Sequence, residues 1–365
     1  MDLRRLKNLD WILIIVALFL FTIGILIIYS TTSPTSGFTE TRNQIIYGLL
    51  GFFLMLLFAF LDYRTFKSLT HILYILMIGL LLYVLILGRL AHGATRWIDL
   101  GFFQLQPSEI SKVFLIIILA KYFSKKSSKS DSFRMFAVSL IYTIIPVVLV
   151  IAQPDLGTAL VLLAIWAGMV LATQIKKIYL FGLGFLTLIS APIVFHFLKD
   201  YQKNRILTFL NPSSDPQGAG YNVLQSTIAI GSGKIFGRGL GHGPQSQLKF
   251  LPERYTDFIF AVLGEELGLA GGVILLTLFT ILMLRVIRAA RISSDNFGSL
   301  LGVGVAVWIL FQVLVNIGMN IGIIPVTGVP LPLVSYGGSS AMAILISLGL
   351  LQSVQLRYKK LNFKG

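Results

Sequence analysis

Long apolar segments alternate with polar connections along the whole chain, and this pattern predicts helices that cross a membrane. About 20 helical residues are needed to cross a bilayer core roughly 30 Å thick. The runs are continuously apolar and do not alternate at every second residue, which favours transmembrane helices over the strands of a β-barrel. We place ten spans, approximately at residues 11–29, 44–61, 69–87, 110–122, 135–151, 156–173, 178–198, 258–284, 298–318 and 335–356.

Composition supports the same class of protein. Of the 365 residues, 56% are apolar and 12% are charged, and the mean hydropathy is +0.84. Soluble domains have about 25% charged residues, so this chain cannot cover its apolar surface in water and is no ordinary soluble enzyme. The first apolar run lacks a small-residue cleavage site and is followed by further spans, so it is interpreted as a transmembrane helix. The predicted fold is an all-α polytopic integral membrane protein with a single domain over residues 1–365.

The positive charges predict the orientation of the spans. The net charge is +15, but its placement explains it without nucleic acid. With ten spans, nineteen Lys and Arg residues lie on the side that holds both termini, and ten lie on the other side. Cytoplasmic connections carry the excess of Lys and Arg in membrane proteins. Both termini are therefore predicted to be cytoplasmic.

One outer connection differs from all the others in length. It covers residues 199–256, between spans 7 and 8. Loops longer than about 15 residues are usually functional or disordered. An apolar stretch over residues 221–230 is suited to lying on the membrane surface, and the segment 231–243 is Gly-rich and basic. A solvated connector is the alternative interpretation of this loop.

Charged residues inside or beside predicted spans are candidates for function, because an unpaired charge there is expensive. Glu109 and Lys112 are three residues apart, one helical turn if the segment is helical. They form either a mutually neutralising pair or the wall of a cavity in which Lys112 meets an anionic group. Asp155 stands just before the sixth span, and its favoured interpretation is an N-cap, in which the carboxylate accepts backbone N–H groups.

The densest group of acids marks the point where the long loop re-enters the membrane. Asp257 lies at this point, with Glu253 shortly before it and Glu265 and Glu266 inside the eighth span. A run of acids entering a bilayer indicates a wet or protein-lined cavity. We therefore predict a functional role for Asp257, although capping of the helix is the simpler alternative.

The remaining polar features carry weaker signals. The chain has no cysteine, which excludes disulfides and thiolate chemistry, and its four histidines lack the spacing of a metal site. The last span opens with a Gly-rich segment that contains Ser339. Such a segment can offer backbone N–H groups to phosphate, but close helix packing explains its glycines equally well.

Acidic and basic groups at one interface suit two kinds of function. In an enzyme, Arg or Lys would hold the phosphate of a lipid-linked anion, and a carboxylate would act as the base. In a transporter, buried acids serve as proton relays. Composition and spacing do not distinguish the enzyme from the transporter.

Several motifs together resemble the SEDS family (shape, elongation, division and sporulation). They are Ala94 to Gly101, Gln104 to Glu109, Gln153 to Thr158, Leu251 to Phe260 and Gly328 to Ser340. The resemblance runs in order along nearly the whole chain, and as a set the motifs are highly specific. Residues 245–247, Arg254 and residues 328–332 resemble the elongation-type (RodA) branch more than the division-type (FtsW) branch. Tyr255 stands where the family usually has His, which argues against a required imidazole there.

The resemblance implies a peptidoglycan glycosyltransferase that polymerises lipid II, with a lipid II flippase as the alternative. Asp257 would be the general base of an inverting single displacement in which polyprenyl diphosphate leaves. The residues expected to bind substrate are Trp97, Glu109, Lys112, Arg205, Arg238, Arg254 and Ser339. Those expected to have a structural or cavity role are Asp155, Glu253, Glu265 and Glu266.

The resemblance also implies a setting and a partner. The protein is expected in the bacterial cytoplasmic (inner) membrane with its active site on the outer face. Elongation-type members work beside a class B penicillin-binding protein, a single-span transpeptidase, and other proteins of the elongation complex. A divalent cation (Mg or Mn) could help to neutralise the diphosphate, but no ligand set in the sequence demands one.

Overall fold

The computed structural model describes residues 8–32, 38–91, 94–99, 104–125, 132–197, 200–211, 219–248 and 250–358. The predicted positions of both chain ends lie outside these residues. So do short parts of the predicted outer loop, at residues 199, 212–218 and 249.

The described part of the chain forms fourteen helices and three short strands. The helices before the sixth span are α1 (Trp11–Thr32), α2 (Thr39–Phe60), α3 (Tyr63–Ser68), α4 (Thr70–Leu87), α5 (Pro107–Ser124) and α6 (Ser132–Ala152). Those that follow are α7 (Leu156–Ala172), α8 (Lys177–Phe197), α9 (Asp200–Leu210), α10 (Ala219–Ser232), α11 (Pro244–Gln247), α12 (Ile259–Ile292), α13 (Asn296–Asn320) and α14 (Gly338–Leu356). The strands, all between α4 and α5, are β1 (Arg89–Ala91), β2 (Ala94–Asp99) and β3 (Gln104–Leu105).

Within the described residues, seven helices are long and apolar enough to cross a membrane: α1, α2, α4, α6, α12, α13 and α14. The three other predicted spans coincide with α5, α7 and α8. Helix α7 and the apolar part of α8 are shorter than 18 residues, and α5 carries three charged side chains. The prediction of a multi-pass, mainly helical membrane protein is confirmed.

Helices α13 and α14 form the centre of the bundle. In their apolar windows 67% and 78% of the residues are buried, against 22% in the peripheral α4. Glycines allow the close approach, as is usual where membrane helices pack. A Cβ added at Gly349 of α14 would lie 2.4 Å from the carbonyl oxygen of Met55 in α2, and Gly304 of α13 faces Ile116 of α5 in the same way.

A small antiparallel sheet in the order β1-β2-β3 follows α4. It departs from the prediction of an all-α fold. The strands have two to six residues, which is too short for a period-2 pattern to stand out in the sequence. The sheet matters for the site because it leads directly into α5, whose first residue is Pro107, a residue favoured at that position.

Helix α12 is broken near its outer end, and the outer loop fills the break. Gly268 has φ +64° and interrupts the helical hydrogen bonds. The loop replaces them in both directions, because unpaired backbone groups are costly in a membrane. The replacing bonds are Leu269 N to Lys234 O at 2.9 Å, Ala270 N to Ile235 O at 2.9 Å, Arg238 N to Glu265 O at 3.0 Å and Gly239 N to Glu266 O at 3.0 Å.

The predicted surface stretch 221–230 is a helix, α10, but its main partner is protein. It packs against α12 and α13, and Ser226 is fully buried and donates a hydrogen bond to the Asn320 carbonyl at 2.7 Å. Leu224 and Ile228 on another face remain 43% and 49% exposed. The apolar side chains that suggested a lipid surface are thus divided between protein contacts and the outside.

Candidate active site

Four connections meet at one end of the bundle around Asp257. They are the end of the outer loop (residues 253–258), the α13–α14 connection (327–337), the start of α7 (153–155) and the sheet before α5. The Ser335 hydroxyl donates to the Thr256 carbonyl at 2.6 Å, and Tyr336 N donates to Tyr255 O at 2.9 Å. All four connections lie on the side that the charge pattern predicts to be the outer one.

The carboxylate of Asp257 is free of the helix that follows it. Phe258 is the N-cap residue of α12, and no side chain caps that helix end. Within the described residues the Asp257 carboxylate accepts no hydrogen bond, and its side chain is only partly buried. Gly328, with φ +73°, lies beside it, and a Cβ added there would be in van der Waals contact with Oδ2, at 3.4 Å. The capping alternative is therefore wrong. The carboxylate is confined by its neighbours, but no hydrogen bond from the described residues occupies it.

Burial raises the pKa of Asp257 to about 6, from an ordinary value of 3.8. The neighbouring Glu253 and Asp155 raise the pKa further, because a second negative charge disfavours ionisation, while Arg205 and Arg96 lower it. A carboxyl group with such a pKa is largely ionised at neutral pH. It is also a stronger base than an ordinary aspartate, which suits a general base.

Asp155 is the N-cap of α7, as the sequence indicated. Its Oδ1 accepts a hydrogen bond from Thr158 N at 3.1 Å. Its Oδ2 accepts from Gln106 Nε2 at 3.2 Å and from Ser108 Oγ at 3.4 Å, both at the start of α5. This carboxylate therefore joins α7 to α5 beside the site and is committed to that role.

Arg96 belongs to the site but was not among the residues predicted to bind substrate. From the sequence it was counted only among the positive charges on the outer side of the membrane. Its Nε donates to Gln153 O at 3.0 Å, and its Nη2 donates to Pro154 O. These bonds tie β2 to the start of α7 and place a positive charge near Asp257. Its neighbour Trp97, which was predicted, lies partly buried on the same strand. Arg96 and Trp97 lie in the same family motif, Ala94 to Gly101, and this motif was the signal that could have identified Arg96.

The three arginines predicted to bind phosphate have different positions. Arg205 on α9 is among the charged groups that act on Asp257. Arg254 is 8% exposed and donates to the Thr31 carbonyl at 3.2 Å, which fastens the loop to α1. Arg238 is exposed and bonds to Ser232 Oγ at 3.1 Å. Of these three, Arg205 is the one whose charge the structure brings to bear on Asp257.

Ser339 and Tyr255 border the site through the α13–α14 connection. The Ser339 hydroxyl donates to Gln104 O at 3.0 Å and accepts from Gln106 N at 2.9 Å. These two bonds hold β3 against the start of α14. They occupy the hydroxyl hydrogen of Ser339 and one of the lone pairs on its oxygen. The Tyr255 ring packs edge-on against Tyr336 with 5.6 Å between centroids.

Glu109 and Lys112 form an ion pair deeper in the bundle. Lys112 Nζ lies 2.6 Å from Glu109 Oε1, and the two side chains are 1% and 3% exposed. The ammonium group also lies 5.2 Å from the centre of the Trp308 ring on α13. The pair lies within one helix, α5, and neither residue is among the charges that act on Asp257. Ser108, next to Glu109 on α5, connects the helix of the ion pair to Asp155 through its hydrogen bond to that carboxylate.

Of the other acids predicted near the site, one is exposed at the surface and two are buried in structural hydrogen bonds. Glu253 is exposed, and its Oε2 accepts from Thr256 Oγ1 at 2.9 Å. Glu265 is fully buried and accepts from Gln245 N at 2.8 Å and Ser246 N at 3.0 Å. Glu266, also fully buried, accepts from the Ser30 hydroxyl and from Gly241 N. Glu265 and Glu266 therefore hold the outer loop to α12.

The fold and the site define a class of protein. It is a multi-pass membrane protein with a confined carboxylate and two arginines that act on it electrostatically at one end of its helix bundle. Within the described residues no group of three or more His, Cys, Asp or Glu side chains could hold a metal ion. A carboxylate with a raised pKa beside two guanidinium groups can accept a proton and attract an anionic group.

Comparison with known proteins identifies the family. Residues 10–360 match the profile of the FtsW/RodA/SpoVE family of cell cycle proteins, so the chain belongs to that family. The protein is 41% identical over 359 residues to peptidoglycan glycosyltransferase MrdB of Escherichia coli strain K12, with 97% of this chain and 95% of that protein covered. The predicted family membership is confirmed.

Two solved structures have the same fold. One is a chain of a peptidoglycan synthase complex that coordinates polymerisation and crosslinking, with a TM-score of 0.82 and 36% identity, covering 95% of this chain and 97% of that one. The other is the rod shape determining protein RodA of Thermus thermophilus, with a TM-score of 0.72 and 30% identity, covering 96% and 98%. These similarities support the elongation-type branch of the family.

Proposed function

We propose that this protein is a peptidoglycan glycosyltransferase that polymerises lipid II into glycan strands for cell-wall elongation. The observation that carries the proposal is Asp257, a confined carboxylate with a pKa of about 6 and no hydrogen bond from the described residues. It lies in a chain whose relatives are named peptidoglycan glycosyltransferases.

In the proposed reaction Asp257 takes the proton from a sugar hydroxyl of the acceptor. The oxygen attacks the anomeric carbon of the donor's muramyl sugar, and the bond from that carbon to the polyprenyl diphosphate breaks. Because the leaving group departs from the opposite face, the α linkage becomes β in a single displacement. Diphosphate is a good leaving group, so no general acid is needed. This differs from the two carboxylates of glycoside hydrolysis.

Arg205 and Arg96 are the groups proposed to hold the diphosphate. Both guanidinium groups act on Asp257 electrostatically, and Arg binds phosphate oxygens through several N–H donors at once. Fixed positive charge where the leaving group gains negative charge stabilises the transition state. Trp97, beside Arg96 on β2, is proposed to contact the substrate as well.

The setting follows from the charge pattern. We propose that all ten predicted spans cross the bacterial cytoplasmic membrane as one domain, with both termini inside. The site around Asp257 then faces outward, where the cell wall is built. A class B penicillin-binding protein and other elongation-complex proteins are the proposed partners, supported by the similarity to a chain of a peptidoglycan synthase complex.

The test is glycan polymerisation from purified lipid II, with the transpeptidase partner present, by the wild type and by Asp257→Asn. Asn keeps the size and polarity of the side chain but removes the base. We expect polymer from the wild type and at least about a hundredfold less from the variant, since positioned bases contribute 10²–10⁴-fold. Asp62→Asn is the matched control. Asp62 caps α3 at the opposite end of the bundle, and Asn is an equally good cap.

Equal polymer from the wild type and Asp257→Asn would reject Asp257 as the base. The second candidate function, lipid II flipping, is favoured by the buried Glu109–Lys112 pair, because intramembrane charges mark transport paths. It requires movement of lipid II across liposome bilayers that contain the protein. The absence of such movement in active preparations would reject it.

A further inference from the structure

Two asparagines on the central helix α13 contact the residue that the proposed function depends on. Asn316 and Asn320 are both fully buried and lie four residues apart, on one face of the helix. We propose that Asn316 and Asn320 are positioning residues that hold Asp257 in its reactive place. The inference rests on the proposed role of Asp257 as the base.

Both side-chain amides donate to the same acceptor. Asn316 Nδ2 and Asn320 Nδ2 each lie 3.0 Å from the backbone carbonyl oxygen of Asp257. A carbonyl oxygen has two lone pairs, so two donors satisfy it completely. The peptide group of Asp257 is thus fixed from α13, while its carboxylate stays available to accept a proton.

Asn316 also fixes the opposite wall of the site. Its Nδ2 donates a second hydrogen bond, of 2.8 Å, to the carbonyl oxygen of Val329. Val329 follows Gly328, the residue that borders the Asp257 carboxylate. One amide group therefore sets the separation between the base and the segment that confines it.

Asn320 extends the same network to α12 and α10. Its Oδ1 accepts from Ala261 N, in the first turn of α12, at 3.1 Å, and the same N–H also lies 3.0 Å from the Phe258 carbonyl oxygen. Ser226 of α10 donates to the Asn320 carbonyl at 2.7 Å. Asn320 Nδ2 also donates to Asn316 O at 2.8 Å. The network joins the base to the outer loop.

Positioning matters because proton transfer depends steeply on geometry. A displacement of about 1 Å can reduce a rate by about a hundredfold. The segment before α12 has no side-chain cap at Phe258 and a left-handed residue at Glu253, with φ +52°. Hydrogen bonds from a rigid central helix compensate for the irregular backbone on which Asp257 stands.

The test compares Asn316→Leu and Asn320→Leu with the matched control Gln312→Leu. Gln312 lies on the same face of α13, one turn deeper, and is fully buried, but its amide has no hydrogen-bond partner among the described residues. Asn316→Ser and Asn320→Ser serve as milder variants if the leucine variants fail to fold. Polymerisation of lipid II is measured with the partner present, alongside melting temperature in detergent.

We expect kcat to fall at least about tenfold in both asparagine variants, equivalent to about 1.4 kcal/mol, with KM for lipid II changed less than about twofold. The acidic limb of the pH–rate profile should also move to lower pH as Asp257 becomes better solvated. The charged groups that face Asp257, namely Glu253, Asp155, Arg205 and Arg96, are unchanged in these variants. Gln312→Leu should retain the kcat and profile of the wild type.

A lower melting temperature with unchanged kcat and pH profile would overturn the proposal and leave the asparagines a structural role only. Failure of the proposed function gives a different result. In that case wild type and Asp257→Asn would produce equal polymer, whatever the asparagine variants do.

Discussion

At the scale of single residues, the environment of each carboxylate decides its role. Asp155 and Asp257 are both acids that directly precede an apolar helix, and the sequence offers the same capping explanation for each. The structure separates them, because Asp155 accepts three hydrogen bonds from α7 and α5. Asp257 accepts none from the described residues, and a raised pKa accompanies its confinement.

The pKa of Asp257 predicts a pH dependence. A base must be ionised, so log(kcat/KM) for polymerisation should fall with a slope of one below about pH 6. The measurement is a pH–rate profile between pH 4.5 and 8, values chosen to lie about two units to either side of this pKa. Asp62→Asn should show the same profile, and a limb near pH 4 would contradict the assignment.

The same shift has a consequence for stability. A carboxyl group whose pKa is raised on folding binds its proton more tightly in the folded state. Protonation therefore stabilises the fold, and this stabilisation is lost as pH rises through about 6. We expect Asp257→Asn to melt above the wild type at pH 7.5, chosen about 1.5 units above that pKa, with a smaller difference near pH 5. A variant that melts lower at both pH values would contradict this.

At the scale of elements, the structure places irregular backbone where another segment completes its hydrogen bonds. Helix α12 breaks at Gly268, and the outer loop supplies donors and acceptors to the exposed turn. Glu265 and Glu266 bind the loop from the helix side. The loop and the first part of α12 therefore form one unit, which carries Asp257 at its edge.

Gly268→Ala tests this unit. A Cβ at Gly268 would lie 2.3 Å from Gly237 N and 2.6 Å from Ile235 O, and the residue has φ +64°. Backbone atoms cannot give way easily, so we expect a loss of at least about 2 kcal/mol, measured as a lower melting temperature. Gly272→Ala is the control, because nothing lies within 4 Å of its added Cβ. It should be neutral or stabilising by about 0.5–1 kcal/mol.

The Glu109–Lys112 pair makes a second prediction at this scale. Lys112→Met would leave a carboxylate unpaired at a site where both side chains are at most 3% exposed. We expect a loss of about 3–5 kcal/mol. The double variant Glu109→Gln, Lys112→Met should recover most of this loss, because no buried charge remains. Equal melting temperatures for the single variant and the wild type would show that the pair is hydrated.

At the scale of the whole molecule, four connections separated widely in sequence come together at one end of a helix bundle. One of them, residues 327–337, joins α13 and α14, the most buried spans. Helices packed at the centre fix the positions of their ends, so the connections at those ends form a site with little freedom.

The predicted orientation can be tested because the chain contains no cysteine. Leu248→Cys lies in the outer loop, where Leu248 is 66% exposed, and Ser68→Cys lies at the exposed end of α3. A membrane-impermeant maleimide added to spheroplasts should label Leu248→Cys alone. After permeabilisation both variants should react. Labelling of Ser68→Cys in intact spheroplasts would reverse the orientation.

The extent of prediction differs between the fold and the site. Nine of the ten predicted spans begin within three residues of an observed helix start, an accuracy usual for such boundaries. The exception is α2, which begins five residues before its predicted span, at Thr39, with a polar turn that apolar runs do not reveal. The three strands were missed because each is too short for a periodic signal. Among the arginines whose charges act on Asp257, Arg205 was predicted to bind substrate and Arg96 was not.

The sequence by itself determined the membrane class, the family and the candidate base. Hydrophobicity and charge act locally, so a run of apolar residues or an excess of Lys and Arg has the same meaning wherever the chain folds. Only the tertiary structure distinguishes the two acids: the Asp155 carboxylate accepts three hydrogen bonds, and the Asp257 carboxylate accepts none from the described residues. Tertiary structure also brought Asn316, Asn320 and Arg96 to Asp257, because contacts between residues far apart in the chain depend on how the helices pack.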